Sequence, residues 1–243
     1  MDLKKDLKSC AIGRGADYFG MADLSSAEEF IRGQGGELVA RYPRAIAIGI
    51  ALQDSLVDLI PNRAEYAAAM LYKHNSYDVI NTMLDQIAVE VANRIQRKGY
   101  RALPAPASKR ASDEKIAGII SNKLPPHLAG LGWIGKSCLL VTPQHGPRVR
   151  WVTVLTDAPL EPTGTPMKER CGSCTQCADA CPVHAFTGRP FKEDEPREAR
   201  FDAAACERYF KDMEQKGGPA VCGMCLYICP YGRKGRGKEH PAK

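Results

Sequence analysis

Long apolar runs are missing from this sequence. In 243 residues the longest is Ala45–Leu52, far short of the roughly 20 residues a membrane helix needs. The N-terminus, Met1-Asp-Leu-Lys-Lys-Asp-Leu-Lys8, alternates charge with leucine and has no apolar core of the kind a secretory signal requires. Together these absences predict a soluble, cytoplasmic protein with no membrane partner. Aromatics are scarce, at 7% with two tryptophans, and neither sign of charge dominates: 34 Lys+Arg stand against 28 Asp+Glu, a net +6. So small an excess is a weak argument for nucleic acid. Core-forming residues are not lacking. At 44% hydrophobic the chain is no disordered polymer, and its length suits one compact unit or two unequal ones.

What the chain has in quantity is cysteine. There are ten, and a reducing compartment argues against structural disulfides, so they need another use. Cys10 and Cys138 are isolated and read as small buried hydrophobes. The other eight fall between Cys171 and Cys229. Asp157-Ala-Pro-Leu-Glu-Pro-Thr-Gly-Thr-Pro166 reads as a linker. The expected organisation is therefore an N-terminal domain over 1–160, a cysteine domain over 161–231, and a basic, glycine-rich tail over 232–243.

Over the first 160 residues the patterning is mixed. Helices are expected over 2–14, 26–32, 64–74 and 77–98, the last with Ile80, Leu84, Ile87, Val91 and Ile95 at helical spacing. Arg44–Leu52 reads as a buried strand, 100–103 as a short one, and Leu139–Thr142 and Arg148–Thr156 as two more joined through Gly146–Pro147. Strands and helices interleaved in this way predict a layered α+β domain.

The first cysteine run, Cys171-Gly-Ser-Cys174-Thr-Gln-Cys177-Ala-Asp-Ala-Cys181-Pro182, is C-x2-C-x2-C-x3-C-P, the bacterial ferredoxin pattern for 4Fe–4S clusters. Two-residue gaps wrap the backbone round one cube, and the fourth cysteine, turned away before proline, serves a second. Cys222-Gly-Met-Cys225-Leu-Tyr-Ile-Cys229-Pro230 supplies the last three positions of the same template, and Cys206 is the one unassigned cysteine nearby. The count then closes. Cys171, Cys174, Cys177 and Cys229 hold one cluster; Cys206, Cys222, Cys225 and Cys181 hold the other. Two structural zinc sites also use C-x2-C, but they need neither four cysteines in one run nor a proline after the last.

Gly130-Leu-Gly132-Trp-Ile-Gly135 satisfies G-x-G-x-x-G, yet it follows Leu124-Pro-Pro-His127 and leads toward a strand, where a dinucleotide fingerprint follows a strand and opens a helix. A nicotinamide site is not expected. Either a tight structural turn or a bare backbone approaching another large cofactor would explain the glycines.

Ala129-Gly-Leu-Gly-Trp-Ile-Gly-Lys136, Leu139-Leu-Val141, Thr153-Val-Leu-Thr-Asp157 and the split second cluster together resemble the epoxyqueuosine reductase and reductive dehalogenase group, corrinoid-dependent reductases with two 4Fe–4S clusters. The resemblance implies a nitroreductase-like α/β domain holding base-off cobalamin, followed by a ferredoxin-like double-cluster domain. It implies electrons delivered from a ferredoxin- or flavodoxin-type donor through the clusters to cobalt, and a small-molecule or tRNA-borne substrate. Position by position it places Gly132, Trp133, Gly135, Lys136 and Ser137 against the corrin. Two departures stand out. Where the epoxyqueuosine reductases carry a proton-donating aspartate this sequence has Ile116, with Asp113 and Glu114 displaced from it, so no catalytic residue is assigned. Little sequence follows the second cluster, so the helical-repeat extension that helps those enzymes hold tRNA is expected to be absent.

The loop residues His127 and His145 are candidate proton donors or cobalt ligands, with a structural role as the plainer reading. His184 follows the first cluster and is expected to face solvent or tune it. Arg148 and Arg150 should share one strand face, read as solvated. Competing with the reductase are a non-enzymatic electron carrier or corrinoid activator, and a reductase using flavin in the same domain.

Overall fold

The computed structural model describes residues 2–193 and 195–233, so most of the expected basic tail lies outside the described residues. The chain forms two compact units, neither continuous in sequence: one takes 1–51, 79–131 and 150–167, the other 52–78, 132–149 and 168–243. A single cut near 160 is how a sequence with one composition shift reads; the structure also assigns two inner stretches to the cysteine-bearing unit.

The first unit is built on a four-stranded sheet with the order β1 (Tyr18–Asp23), β2 (Arg44–Ala51), β6 (Val149–Thr156), β3 (Ala102–Ala105). β1 runs antiparallel to β2 with Tyr18 opposite Gly49, and β3 antiparallel to β6 with Ala102 opposite Thr156. The central strands are near-continuous apolar runs, buried along almost their whole length, as strands covered on both faces must be. β3 carries Pro104, tolerable because it is an edge. Helix Ile80–Gln96 packs on β2 and β3 and is itself met by helix Leu3–Gly13. It buries Leu84, Ile87, Val91 and Ile95 at the spacing its sequence announced. Cys10 sits in this layer, buried, and desolvation aided by the Glu90 carboxylate holds its thiol above the usual range. A second apolar cluster, with Leu24, Ile31, Tyr42, Leu124, Leu128 and Leu155 among its members, includes helix Leu124–Leu128, which packs on β1 and β2. The proline-rich linker is pinned to this unit: Thr163 N donates to Met21 O at 2.9 Å, and its hydroxyl accepts from Met21 N at 3.1 Å.

In the second unit regular structure is short. Helix Tyr66–Lys73 precedes a π-helical turn over His74–Val79, and β4 (Trp133–Ile134) pairs with β5 (Leu140–Val141) in a separate hairpin. The strand expected at Leu139–Thr142 thus joins β4, a partner too short to show a period, rather than β6. Helices Gln176–Asp179 and Met224–Tyr227 have four residues each and pack on one another. The longer helix Ala203–Gln215 is capped by Asp202, whose carboxylate accepts from Ala205 N at 2.8 Å. Arg148 is not solvated as its alternation with Arg150 suggested. It is 3% exposed and paired with Asp54 at 2.5 Å and Asp58 at 3.5 Å, carboxylates about ninety residues upstream that no local pattern reveals.

Candidate metal centre

The short helices present the thiols. Cys177 stands on helix Gln176–Asp179, Cys225 on Met224–Tyr227 and Cys206 on Ala203–Gln215. Cys181 and Cys229 each follow a four-residue helix and precede a proline. The returns carry each away from its own run. Cys229 lines one cavity with Cys171, Cys174 and Cys177, shared with Lys136 and Ser137. Cys181 lies within electrostatic reach of Cys206 and Cys225, each of which also feels Cys222. The structure thus places Cys229 beside the first run and Cys181 near Cys206 and Cys225, with Cys177 also within electrostatic reach of Cys225.

Desolvation dominates at these sulfurs. It pushes the Cys171 thiol up to about 12 and those of Cys206 and Cys229 to about 11, and raises Cys225 further still. Free thiols in such sites stay protonated and inert; only a bound metal centre would hold them as thiolates. Backbone amides are already aimed at the sulfurs. Ala185 N donates to Cys181 Sγ at 3.3 Å, and the amides of Tyr231 and Gly232 favour the Cys229 thiolate. A zinc site holds every sulfur about 2.3 Å from one ion, whereas a four-iron cube spaces its thiolates more widely, because the irons stand between them. The donor set, its spacing and its amides fit 4Fe–4S clusters.

The glycine segment belongs to the same place. A Cβ on Gly132 would lie 2.4 Å from Val141 O, and one on Gly135 2.9 Å from Val141 Cγ2 and 3.4 Å from Cys171 Sγ. Both glycines are thus required by the closeness of the β4–β5 hairpin, the structural-turn reading of the motif. Trp133 is buried beneath Tyr231, ring centroids 4.7 Å apart and edge to face, with Arg170 over its ring. Its indole Nε1 is buried without a nitrogen or oxygen partner and favours the Cys171 thiolate. Lys136 Nζ donates to Gly172 O at 2.7 Å, inside the first cysteine run. The five residues that the resemblance gave to a corrin are all buried, and Trp133, Lys136 and Ser137 attend the first cysteine set.

The remaining candidates scatter. His127 is buried in helix Leu124–Leu128, while His145 and His184 are exposed. Asp113 and Glu114 lie on an exposed turn, Asp113 near Arg110 at 3.7 Å. Two residues to which the sequence gave no part in the cysteine sets lie near them. Cys138, buried with a left-handed backbone (φ 55°), acts electrostatically on Cys177. Arg200, equally buried, points Nη1 at Cys138 Sγ at 3.7 Å. No spacing rule links Arg200 to the cysteines, so nothing in the sequence marked it.

With Cys177, Cys206 and Cys225 on helices and the other five of these cysteines in the turns beside them, the region has the arrangement of a double-cluster iron–sulfur domain, and residues 170–232 match the family of 4Fe–4S double cluster binding domains. The whole chain resembles the epoxyqueuosine reductases and reductive dehalogenases. It is 29% identical to the epoxyqueuosine reductase of Listeria monocytogenes over 210 residues, covering 81% of this chain and 50% of that protein. To the Pseudomonas aeruginosa enzyme it is 27% identical over 246 residues, covering 91% and 60%. The chain thus spans about half the length of these relatives. Among solved structures, an epoxyqueuosine reductase with a tRNA-Tyr epoxyqueuosine-modified stem loop superposes with a TM-score of 0.59 at 22% identity, over 98% of this chain and 68% of that one. A reductive dehalogenase structure that suggests a mechanism for B12-dependent dehalogenation gives 0.67 at 18%, over 94% and 31%. Among the described residues no helix is long and apolar enough to cross a membrane.

Proposed function

We propose that the chain is an iron–sulfur oxidoreductase that moves single electrons through two 4Fe–4S clusters, held by Cys171, Cys174, Cys177 and Cys229 and by Cys206, Cys222, Cys225 and Cys181. The observation that carries the reading is the exchange of Cys229 and Cys181 between the two runs; the matched double-cluster family supports it. Bound clusters supply one-electron chemistry; the chain holds them, keeps water off the sulfurs and aims amides at them. The likeness to reductive dehalogenases and epoxyqueuosine reductases supports a finer reading, in which the terminal acceptor is base-off cobalamin and the substrate is a small molecule or a modified tRNA. The donor in this reading is a ferredoxin or flavodoxin. In this reading Gly132, Trp133, Gly135, Lys136 and Ser137 are the residues that would adjoin the corrin. The nearness of Lys136 and Ser137 to the first cysteine set also supports a second reading, an electron carrier or corrinoid activator that turns over no substrate.

Anaerobic purification followed by metal analysis and cobalamin titration tests both. About eight irons per chain and a base-off corrinoid spectrum are the expected result. Eight irons without corrinoid uptake selects the carrier, and zinc in place of iron overturns both.

A further inference from the structure

Lys136 and Arg200 are both buried, at 8% and 5% exposure, and among the described residues neither has a carboxylate partner. Lys136 donates only to the Gly172 carbonyl. Arg200 reaches the Cys138 sulfur, lies over the Phe191 ring at 4.7 Å, and keeps a buried Nε with no partner at all. A buried cation without a counter-charge is strongly disfavoured, so two of them in one small unit call for an anion. Both belong to the surroundings of the first cysteine set. Lys136 lines its cavity, and Arg200 points Nη1 at Cys138 Sγ, two residues along the chain from Lys136. One nearby carboxylate opposes them: half-buried Glu169 accepts from Cys171 N at 2.6 Å. At the second set a carboxylate stands close instead: Asp202 caps the helix that carries Cys206, accepting from Ala205 N at 2.8 Å.

We propose that Lys136 and Arg200 are positioning residues for the cluster at Cys171, Cys174, Cys177 and Cys229, and that their buried positive charge sets its reduction potential above that of the other cluster. The proposal rests on the ligand sets given above. A 4Fe–4S centre with four thiolates carries about −2 when oxidised and one more negative charge when reduced. A fixed cation close by therefore stabilises the reduced form more than the oxidised one. An external one-electron donor of the ferredoxin or flavodoxin class reduces the second cluster. That cluster is reoxidised as the first takes the same electron, with no proton and no bond made or broken. Transfer inside the chain thus runs downhill from the Cys206 set to the Cys171 set, which makes the first cluster the exit.

Anaerobic redox titration of the full holoprotein, followed by electron paramagnetic resonance, tests this without any substrate. Two midpoints are expected, the higher assigned to the first set by its response to Cys174→Ser. Lys136→Met should lower the higher midpoint by about a tenfold change in the reduced-to-oxidised ratio, about 59 mV for one electron, and leave the lower one in place. Lys136→Arg should restore it, and Arg200→Gln should shift it the same way by less. Should Lys136→Met lose iron, Arg200→Gln carries the same test from further out. Unmoved midpoints at full iron content, or a shift confined to the lower midpoint, overturn the proposal. A wild-type protein without two cubane signals overturns the ligand assignment instead.

Discussion

The two units of this chain are stabilised by different means. In the sheet unit β2 and β6 are buried along almost their full length, and a 17-residue helix lays a regular apolar stripe against the sheet. Apolar burial of that kind stands without help. In the cysteine unit two of the helices that present thiols are four residues long, well below the length at which a helix persists unaided. It holds a set of desolvated sulfurs and two buried cations, Lys136 and Arg200, with no carboxylate partner among the described residues. Such a region is organised by what it binds, because metal-binding free energy in such sites is folding free energy. The sheet unit shows its architecture as periodicity, the cysteine unit as ligand spacing.

The largest expected effect breaks the comparison at its centre. Removing the clusters with an iron chelator under air should make residues 168–233 exchange amide hydrogens and admit protease within seconds to minutes, while the amides of β2 and β6 stay protected. Cys225→Ala should do half of this: about four irons are lost, and the remaining cubane signal comes from the Cys171 set. Equal loss of protection in both units on chelation would show that the sheet also depends on the metal.

Next in size is a matched pair of glycine substitutions, one in each unit. Gly49→Ala places a methyl 2.7 Å from the Trp151 ring, and overpacking of this sort costs about 1–3 kcal/mol. Its expected signature is a lower urea midpoint for the sheet unit with iron content unchanged. Gly132→Ala places a methyl 2.4 Å from Val141 O, a backbone atom that cannot swing aside, on the hairpin whose Val141 lines the first cavity. It should lower iron content by up to about four atoms per chain, the content of one cube. Iron lost in Gly49→Ala would dissolve the distinction.

The difference in legibility between the units follows from the same physics. The strand at Arg44, the helix from Ile80 and the strand ending at Thr156 were readable because burial imposes a period. β1 was not read: Gly20 sits at its middle because Ala129 and Leu131 leave no room for a Cβ, and a glycine there looks like a break. In the cysteine unit spacing announced the eight thiols, and the count suggested that Cys229 and Cys181 cross between the runs. The surroundings of the sulfurs were beyond reach. Arg200 and Cys138 are 62 residues apart, and Arg148 finds its carboxylates 94 and 90 residues upstream. Buried charge pairs are long-range events and leave no local pattern. Lys136 was noticed only because it ends a recognisable motif, and its direction, toward Gly172, came from the fold.

The smallest effect lies at the edge of the sheet unit, where a largely exposed ion pair adds to apolar burial. Burial would raise the Asp157 carboxyl. Hydrogen bonds from the Arg101 amide and guanidinium, each 2.7 Å, outweigh that and hold it below the ordinary carboxylate range. A depressed folded value contributes stability that is fully present above the unfolded value of about 3.9 and is lost as pH falls through the lower folded one. The pair is largely exposed at Arg101, so solvent screening limits it to about 0.2–1 kcal/mol. Asp157→Asn should therefore lower the urea midpoint slightly and by the same amount at pH 8 and pH 5, since both forms of the wild-type carboxyl are ionised across that window. A difference that grows or fades between those two pH values would place the folded Asp157 on the other side of its ordinary range and reverse the sign of its contribution.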